Sequence, residues 1–439
     1  MNIKKHITNV RALQAFQLIR FVVLFLINII FSKSNLRLGE IGTYETFLLI
    51  AGGVSFFWIG GMMQSLLGVY NNSETFGKSE KNPIFFNVTF IFLLLSTLSA
   101  ILVFFSQGFI SKLFSISGPN IPYMKILFMY IVLSGPVNLI EYFYLLKNKP
   151  IHIVVYGLST FSLQLVCVTL PILLGYDLGY GLYGLVFVNI LRFGILLVLV
   201  YKYSELKFSK DFLKEFFKLS SPLILGILLS GSAQYIDAFL VSYKFDEATL
   251  AVFRYGAREF PFFVLLIYAF GNAMTPKFAH KENLQSSLLE LRQETNKLMS
   301  WIFPSSILLI LTSKYLYPIV FNPNFAESAV VFNVYLMIIM IRFLFSKTIL
   351  IGFKETKPIL WSSVIEVVIN VTLSLILINV WGIVGVAVAT LISYIFENLY
   401  LIIYLKRKHN ISPNSYLPVK PYVLWTTLLI IAFAFSFYI

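Results

Sequence analysis

Apolar residues fill this chain in long blocks, and the intervals between them are short and polar. A helix rises about 1.5 Å per residue, so about 20 mostly apolar residues cross a hydrocarbon core of about 30 Å. Blocks of that size stand at 9–31, 41–66, 83–106, 121–146, 151–174, 181–203, 221–243, 250–275, 299–320, 325–351, 359–380 and 382–405, with a shorter one at 421–438. They predict an all-α polytopic membrane protein with 12 transmembrane helices and a short 13th. Strands of a membrane barrel would alternate apolar and polar positions, which these continuous blocks do not. No small-residue cleavage site follows the first block, so it reads as a retained anchor and not as a removable signal peptide.

The two halves echo each other. "LLKNKPIHIVVYG" (Leu145 to Gly157) and "GFKETKPILWSSV" (Gly352 to Val364) each set a Lys-Pro pair at the mouth of a predicted span. "GYGLYGLVFVNIL" (Gly179 to Leu191) and "VWGIVGVAVATLI" (Val380 to Ile392) open the spans that follow, pairing Gly181 and Gly184 with Gly382 and Gly385. Six spans is an even number, so both halves run in the same sense. They are predicted as two six-helix lobes related by a pseudo-two-fold axis along the membrane normal. The boundaries fall at 1–203 for the N-terminal lobe, 204–220 for an amphipathic cytoplasmic linker, 221–405 for the C-terminal lobe and 406–439 for a basic tail with the 13th helix. In the linker, Phe212, Leu213, Phe216 and Phe217 share one side of a helix and Lys207, Lys210, Lys214 and Lys218 lie largely on the other, as in a helix lying among headgroups. "KENLQSSLLELRQETNK", after the eighth block, has the same character.

Composition agrees: 58% of residues are hydrophobic and 12% charged, which a soluble chain of this length could not keep in solution. The net charge of +14 changes the picture only through its placement. Of the Lys and Arg residues, 22 fall in segments on the side of the N-terminus and 5 on the other. The positive-inside rule therefore puts the N-terminus in the cytoplasm, with the basic segments against anionic membrane lipids. Scattered over separate segments, these charges form no continuous face for nucleic acid. Cys167 is alone, and His6, His152, His280 and His409 lie far apart, so neither a disulfide framework nor a metal site is indicated. "GKS" at 77–79 resembles the end of a phosphate loop, but Asn72 stands where that loop requires glycine. No catalytic set emerges, and the longest outer loop, 107–120, is too short for a catalytic domain.

Charges inside the blocks are the chemistry that remains. Arg20, Lys125, Arg192, Arg254, Arg258, Arg342 and Lys347 face six acids: Glu45, Glu141, Asp237, Glu259, Glu366 and Glu397. An arginine at a helix centre costs about 2.5–3.5 kcal/mol on insertion scales, so each needs a partner or a purpose. Mutual neutralisation is the bland explanation for any one of them. On an ideal helix Arg254, Arg258 and Asn272 share an arc of about 40°, and Glu259 points about 100° away from Arg258. Gln14, Gln17, Arg20 and Asn28 make a second polar face, and Arg20 and Arg258 fall at a common depth of about 12–13 Å. A cation-lined cavity between the lobes is the expectation, and the planar guanidinium fork suits a pyrophosphate. Gln14, Gln17, Asn28, Gln234 and Asn272 are candidate partners for sugar hydroxyls, against the plainer role of helix-packing contacts.

Three stretches carry a resemblance to a known family: "LRLGEIGTYETFLLIAGGVSFFWIGGMMQSLL" after the first block, "SPLILGILLSGSAQYIDAFLVSYKF" opening the second half, and "LAVFRYGAREFPFFVLLIYAFGNAMTPKF" in the eighth. With the echoes above, the chain resembles over nearly its whole length the polysaccharide repeat-unit flippases (O-antigen, capsule or exopolysaccharide) of the multidrug/oligosaccharidyl-lipid/polysaccharide exporter superfamily. The pattern is diffuse, and the short 13th block departs from the family's twelve or fourteen spans. The resemblance implies a bacterial inner-membrane protein moving polyprenyl-diphosphate-linked oligosaccharide by alternating access, beside the glycosyltransferases and polymerase of its pathway. By that analogy Arg20, Arg254 and Arg258 bind pyrophosphate, and Arg11 gathers it at the inner mouth. The competing readings are an ion-coupled drug or small-molecule exporter of the same fold, and a membrane polysaccharide polymerase or ligase. No cofactor is implied. Relatives that flip the peptidoglycan precursor hold sodium among the helices that here carry Asp237, Asn370, Ser374, Val386 and Thr390, although those relatives place a second carboxylate at the position of Ser374. For Asp237, pairing with a cation ranks first, coupling to H+ second and to Na+ third.

Overall fold

The computed structural model describes residues 8–72, 81–114, 116, 120–279 and 283–438. The described residues form helices and no strand, apart from an isolated bridge between Asn82 and Ser204. Nine of these helices are long and apolar enough to cross a membrane, or ten if a bent pair counts as one span. The chain is a multi-pass, all-α membrane protein in two lobes. His6, His280 and the "GKS" stretch lie outside the described residues.

Contacts divide the chain into two compact units, Met1–Gly231 with Ser242–Ala248, and Ser232–Val241 with Thr249–Ile439. The first contains α1 (Asn9–Lys33), α2 (Leu38–Gly53), α3 (Phe56–Asn72), α4 (Ile84–Phe105), α5 (Gln107–Leu113), α6 (Met124–Val137), α7 (Leu139–Leu146), α8 (Pro150–Leu173), α9 (Leu178–Tyr203) and α10 (Lys210–Gly231). Residues of α11 (Ala233–Lys244) and α12 (Glu247–Gly256) belong to both units. The second contains α13 (Pro261–Met274), α14 (Leu284–Val320), α15 (Ala326–Met337), α16 (Ile339–Arg342), α17 (Ser346–Gly352), α18 (Lys357–His409), α19 (Pro413–Tyr416) and α20 (Val419–Phe435).

The echo between the halves has a physical counterpart in each unit. Pro150 and Pro358 both occupy the first turn of a helix, where a missing N–H costs nothing. Gly184 lets α9 approach the backbone of α8 at Cys167, and Gly385 does the same for the two arms of α18 at Leu377. Those arms are the blocks at 359–380 and 382–405. They meet at Trp381 and Gly382, where Gly382 has φ +57° and ψ −136°, a backbone conformation that glycine reaches without a Cβ clash.

Five blocks are not single helices: the fourth is divided between α6 and α7, and the tenth among α15, α16 and α17. The second bends by 47° between α2 and α3, and the seventh stops at Ser232 between α10 and α11. The eighth ends helically at Gly256 and resumes at Pro261, because proline donates no hydrogen bond and holds Phe260 in extended geometry at φ −66°, ψ 110°. The shared arc of Arg254, Arg258 and Asn272 assumed an unbroken helix, so that alignment does not hold. The amphipathic stretch after 204 is likewise no separate helix: α10 runs from it straight into the seventh block, burying Phe212 and Phe216 and leaving Phe217 exposed. The polar stretch after the eighth block continues into the ninth as the 37-residue α14. Within the first unit, residues 204–209 are clamped to the start of α4: Ser204 Oγ donates to the Asn82 carbonyl at 2.7 Å, and Asn87 Nδ2 to that of Lys207 at 2.8 Å.

Candidate functional site

In the second unit Asp237 on α11 is fully buried and accepts three hydrogen bonds. Asn370 Nδ2 reaches Oδ1 at 3.1 Å, while Thr390 Oγ1 and Tyr335 Oη reach Oδ2 at 2.5 and 3.1 Å. Asn370 Nδ2 also bonds Thr390 Oγ1 at 3.0 Å, and that hydroxyl lies 3.1 Å from the Val386 carbonyl. The first and second arms of α18 therefore converge on one carboxylate from α11. Asn370 stands on one arm, and Val386 and Thr390 on the other. Every donor to Asp237 is neutral, and no ion pair forms there among the described residues, which overturns the first-ranked expectation that it pairs with a cation. Ser374 is buried beside the group, but its hydroxyl has no hydrogen-bond partner among the described residues. Tyr335 was missed by sequence reasoning: a tyrosine in an apolar block carries no signal of its direction.

Around this cluster two acids are taken by two cations. Glu259, in the break of the eighth block, binds Arg342 through Nη2 at 2.5 Å and Nε at 2.9 Å, and the guanidinium also lies over the rings of Tyr394 and Tyr268. Glu397 binds Lys347 at 2.6 Å. Glu366 is buried on the first arm of α18, one turn before Asn370, and its Oε1 has no hydrogen-bond partner among the described residues.

The predicted anion-binding residues fall in different places. Arg254 is half-buried in the last turn of α12, and Arg258 is half-buried in the break that follows, where its Nε donates to the Arg254 carbonyl at 3.0 Å. Asn272 is exposed on α13. In the first unit Arg11, Gln14, Gln17 and Arg20 are exposed along α1, whereas Asn28 is buried. Gln234 lies on α11, and its side chain is outside the described residues. Arg192 is buried in α9 against the ring of Phe161, 4.6 Å from its centroid. Glu141, buried on α7, feels the charge of both Arg192 and Arg20.

A family model described as "Lipid II flippase MurJ" matches residues 47–438. A solved structure of "Lipid II flippase MurJ, inward closed conformation" superposes with a TM-score of 0.71 at 18% identity, covering 97% of this chain and 92% of that one. A solved structure of a variant of the Vibrio cholerae MATE transporter VcmN gives 0.61 at 12% identity, covering 91% of this chain and 97% of that one. A curated relative, "Protein DETOXIFICATION 43" of Arabidopsis thaliana, is 42% identical over 67 residues, which span only 15% of this chain and 13% of that protein. At these identities the two solved structures establish a common fold.

Proposed function

We propose that this chain, which belongs to the MurJ lipid II flippase family, moves polyprenyl-diphosphate-linked oligosaccharide from the inner to the outer leaflet of a bacterial inner membrane by alternating access. The family is one of transporters and not of enzymes. Within that class we assign as cargo the repeat unit of a surface polysaccharide, made and consumed by glycosyltransferases and a polymerase of the same pathway. The observation that carries the reading is the interrupted eighth block. Arg254 and Arg258 stand half-buried at a break within an apolar segment, and the neighbouring Glu259 is committed to Arg342. Guanidinium groups held so are suited to a diphosphate, whose oxygens accept bidentate, charge-assisted bonds. Arg20 and Arg11 on α1 supply further positive charge, and Gln14, Gln17, Asn28, Gln234 and Asn272 are the polar groups we assign to the sugar.

Net export needs a source of energy, and we assign its coupling cation to the Asp237 cluster with Asn370, Ser374, Val386 and Thr390. Support comes from a buried carboxylate on α11 whose hydrogen-bond donors, on α15 and α18, are all neutral.

Transport by the purified chain in liposomes tests the reading. Wild-type protein is expected to carry labelled repeat-unit lipid across the bilayer. Arg258→Ala should abolish that movement, Arg254→Ala and Arg20→Ala should slow it, and Arg258→Lys should restore it in part, with abundance near normal throughout. Movement of lipid II in place of the repeat-unit lipid would reassign the cargo within the family. Movement of a cationic dye and of neither lipid would make the chain a drug exporter, and disappearance of every alanine variant from the membrane would make the arginines structural.

A further inference from the structure

The break in the eighth block is held in shape by something other than a helix. Backbone hydrogen bonds run as far as Ala257, whose N–H meets the Phe253 carbonyl at 2.7 Å, and Arg258, whose N–H turns back to Gly256 at 2.7 Å. They resume at Phe263 and Val264, which donate to the Phe260 carbonyl at 3.1 and 3.3 Å. Glu259 lies between these two stretches, and its side chain supplies the tie. Both carboxylate oxygens accept from Arg342, Oε2 from Nε at 2.9 Å and Oε1 from Nη2 at 2.5 Å. Two parallel bonds from one planar fork fix an orientation as well as a distance, which a single bond to a point charge does not.

Arg342 is itself braced by its surroundings. It closes the short α16, and its guanidinium carbon lies 5.0 Å from the ring centroid of Tyr394 on the second arm of α18 and 5.6 Å from that of Tyr268 on α13. Both distances fall within the roughly 6 Å over which a cation is drawn to an aromatic face. The side chains of Arg342 and Glu259 are only 19% and 23% exposed, so salt screens the pair less than it would at an open surface. One guanidinium therefore joins the break to α13, α16 and α18, all within the second unit. Such a pair could serve packing alone. Its place in the chain argues for more, because Glu259 is bonded through the main chain to Arg258, and Arg258 folds its Nε back on the Arg254 carbonyl at 3.0 Å. A shift of Glu259 is passed along one peptide unit to Arg258, and from there to the end of α12.

We propose that Arg342 is the positioning residue of the diphosphate site: through Glu259, and braced by the rings of Tyr394 and Tyr268, it fixes the break that presents Arg258 and Arg254 to the cargo. The inference deepens the diphosphate reading above and rests on it for what those two arginines bind. Arg342 acts through Glu259, so its charge is spent inside the protein and its effect on the cargo is one of geometry. Lysine cannot take its place, since a point charge neither grips both carboxylate oxygens nor lies flat on two rings. A break whose shape is set before the cargo arrives also spares binding the cost of ordering the arginines.

Two readouts on the purified full chain in lipid nanodiscs test the assignment, the first without any anion. A nitroxide attached at Ala257→Cys, in a Cys167→Ser background, reports the break through its spectral line shape. The label is expected to be immobilised when Arg342 is present and to gain a mobile component in Arg342→Gln, with Arg342→Lys between the two. A line shape unchanged in both variants overturns the assignment. The second readout is calorimetry with inorganic pyrophosphate. Affinity is expected to fall about tenfold or more in Arg342→Gln, the loss that follows when a charge-assisted contact is misplaced, and by less in Arg342→Lys. Tyr394→Phe keeps the ring and should bind as wild type does, and a loss there as large as in Arg342→Gln overturns the part given to the ring. A line shape that responds while pyrophosphate affinity does not makes the pair a packing contact and overturns the positioning role. Should Arg342→Gln fail to fold, Arg342→Lys carries both readouts, and wild-type values in it overturn the proposal. Wild-type protein that binds no pyrophosphate sinks the diphosphate reading instead, and the line shape alone then decides whether Arg342 fixes the break.

Discussion

A carboxylate can be fixed by neutral donors, by one cation or by a mixture, and this chain uses all three. Asp237 takes only neutral partners, Glu259 takes a bidentate arginine, and Glu355 takes a mixture at the edge of the second unit. Glu355 follows α17 and receives Lys408 Nζ at 2.8 Å, Tyr404 Oη at 2.8 Å and His409 Nε2 at 3.2 Å from the last turns of α18. Burial alone would raise its carboxyl pKa, but the hydrogen bonds from Lys408 and Tyr404, with the nearby His409 ring, outweigh burial and hold it at about 2. A folded-state value below the ordinary one means that the contact stabilises the fold above the ordinary carboxylate pKa and is lost as the pH falls through about 2. Thermal unfolding in detergent should therefore find Glu355→Gln slightly less stable than wild type at neutral pH, with the gap closing through the acidic range. A gap that stays constant with pH would show that packing, and not charge, holds this corner. The effect is small because the partner ammonium is exposed and solvent screens the pair.

Helices in both units close on glycine. A Cβ at Gly184 would collide with the Cys167 backbone, and one at Gly385 with that of Leu377, so neither helix pair can move apart by a side-chain adjustment alone. Gly61 on α3 stands in the same relation to α10, where a Cβ would come 2.6 Å from the Ile224 nitrogen. Gly184→Ala and Gly385→Ala should each cost about 1–3 kcal/mol, the usual range for overpacking, read as a lower midpoint of thermal unfolding in detergent. Gly194 on α9 has nothing within 4 Å of its missing Cβ, so Gly194→Ala should be neutral or gain up to about 1 kcal/mol from helix propensity. Equal losses at all three positions would reject close approach as the cause. Gly184 and Gly385 were legible beforehand because the same short pattern stood at the mouth of equivalent spans in both halves, whereas Gly61 and Gly194 belong to no such echo. The breaks at Ser232 and at Ala257 to Phe260 were not, since block length reports how far a segment reaches and not whether it is straight. Pro261 was the available signal. Of the ion-coupling candidates, which came from the resemblance, Asp237, Asn370, Val386 and Thr390 do meet; the four-residue spacing puts Val386 and Thr390 on one helix face but does not say which helices converge. Ser374 shares that face without a bond, and the donor from Tyr335 depended on which way α15 turns.

For the whole molecule the sidedness of the basic segments becomes a mechanical statement. By the positive-inside rule the end of α18 with Lys406, Arg407, Lys408 and His409 belongs in the cytoplasm. Orientation can be read with an impermeant maleimide on whole cells, using Cys167→Ser to remove the single native thiol. Lys112→Cys, on α5, should label from outside without permeabilisation, and Ser209→Cys, in the segment clamped to α4, only after it. The reverse pattern would invert the protein in the membrane. It would turn the proposed diphosphate carrier into one loading from the outer leaflet.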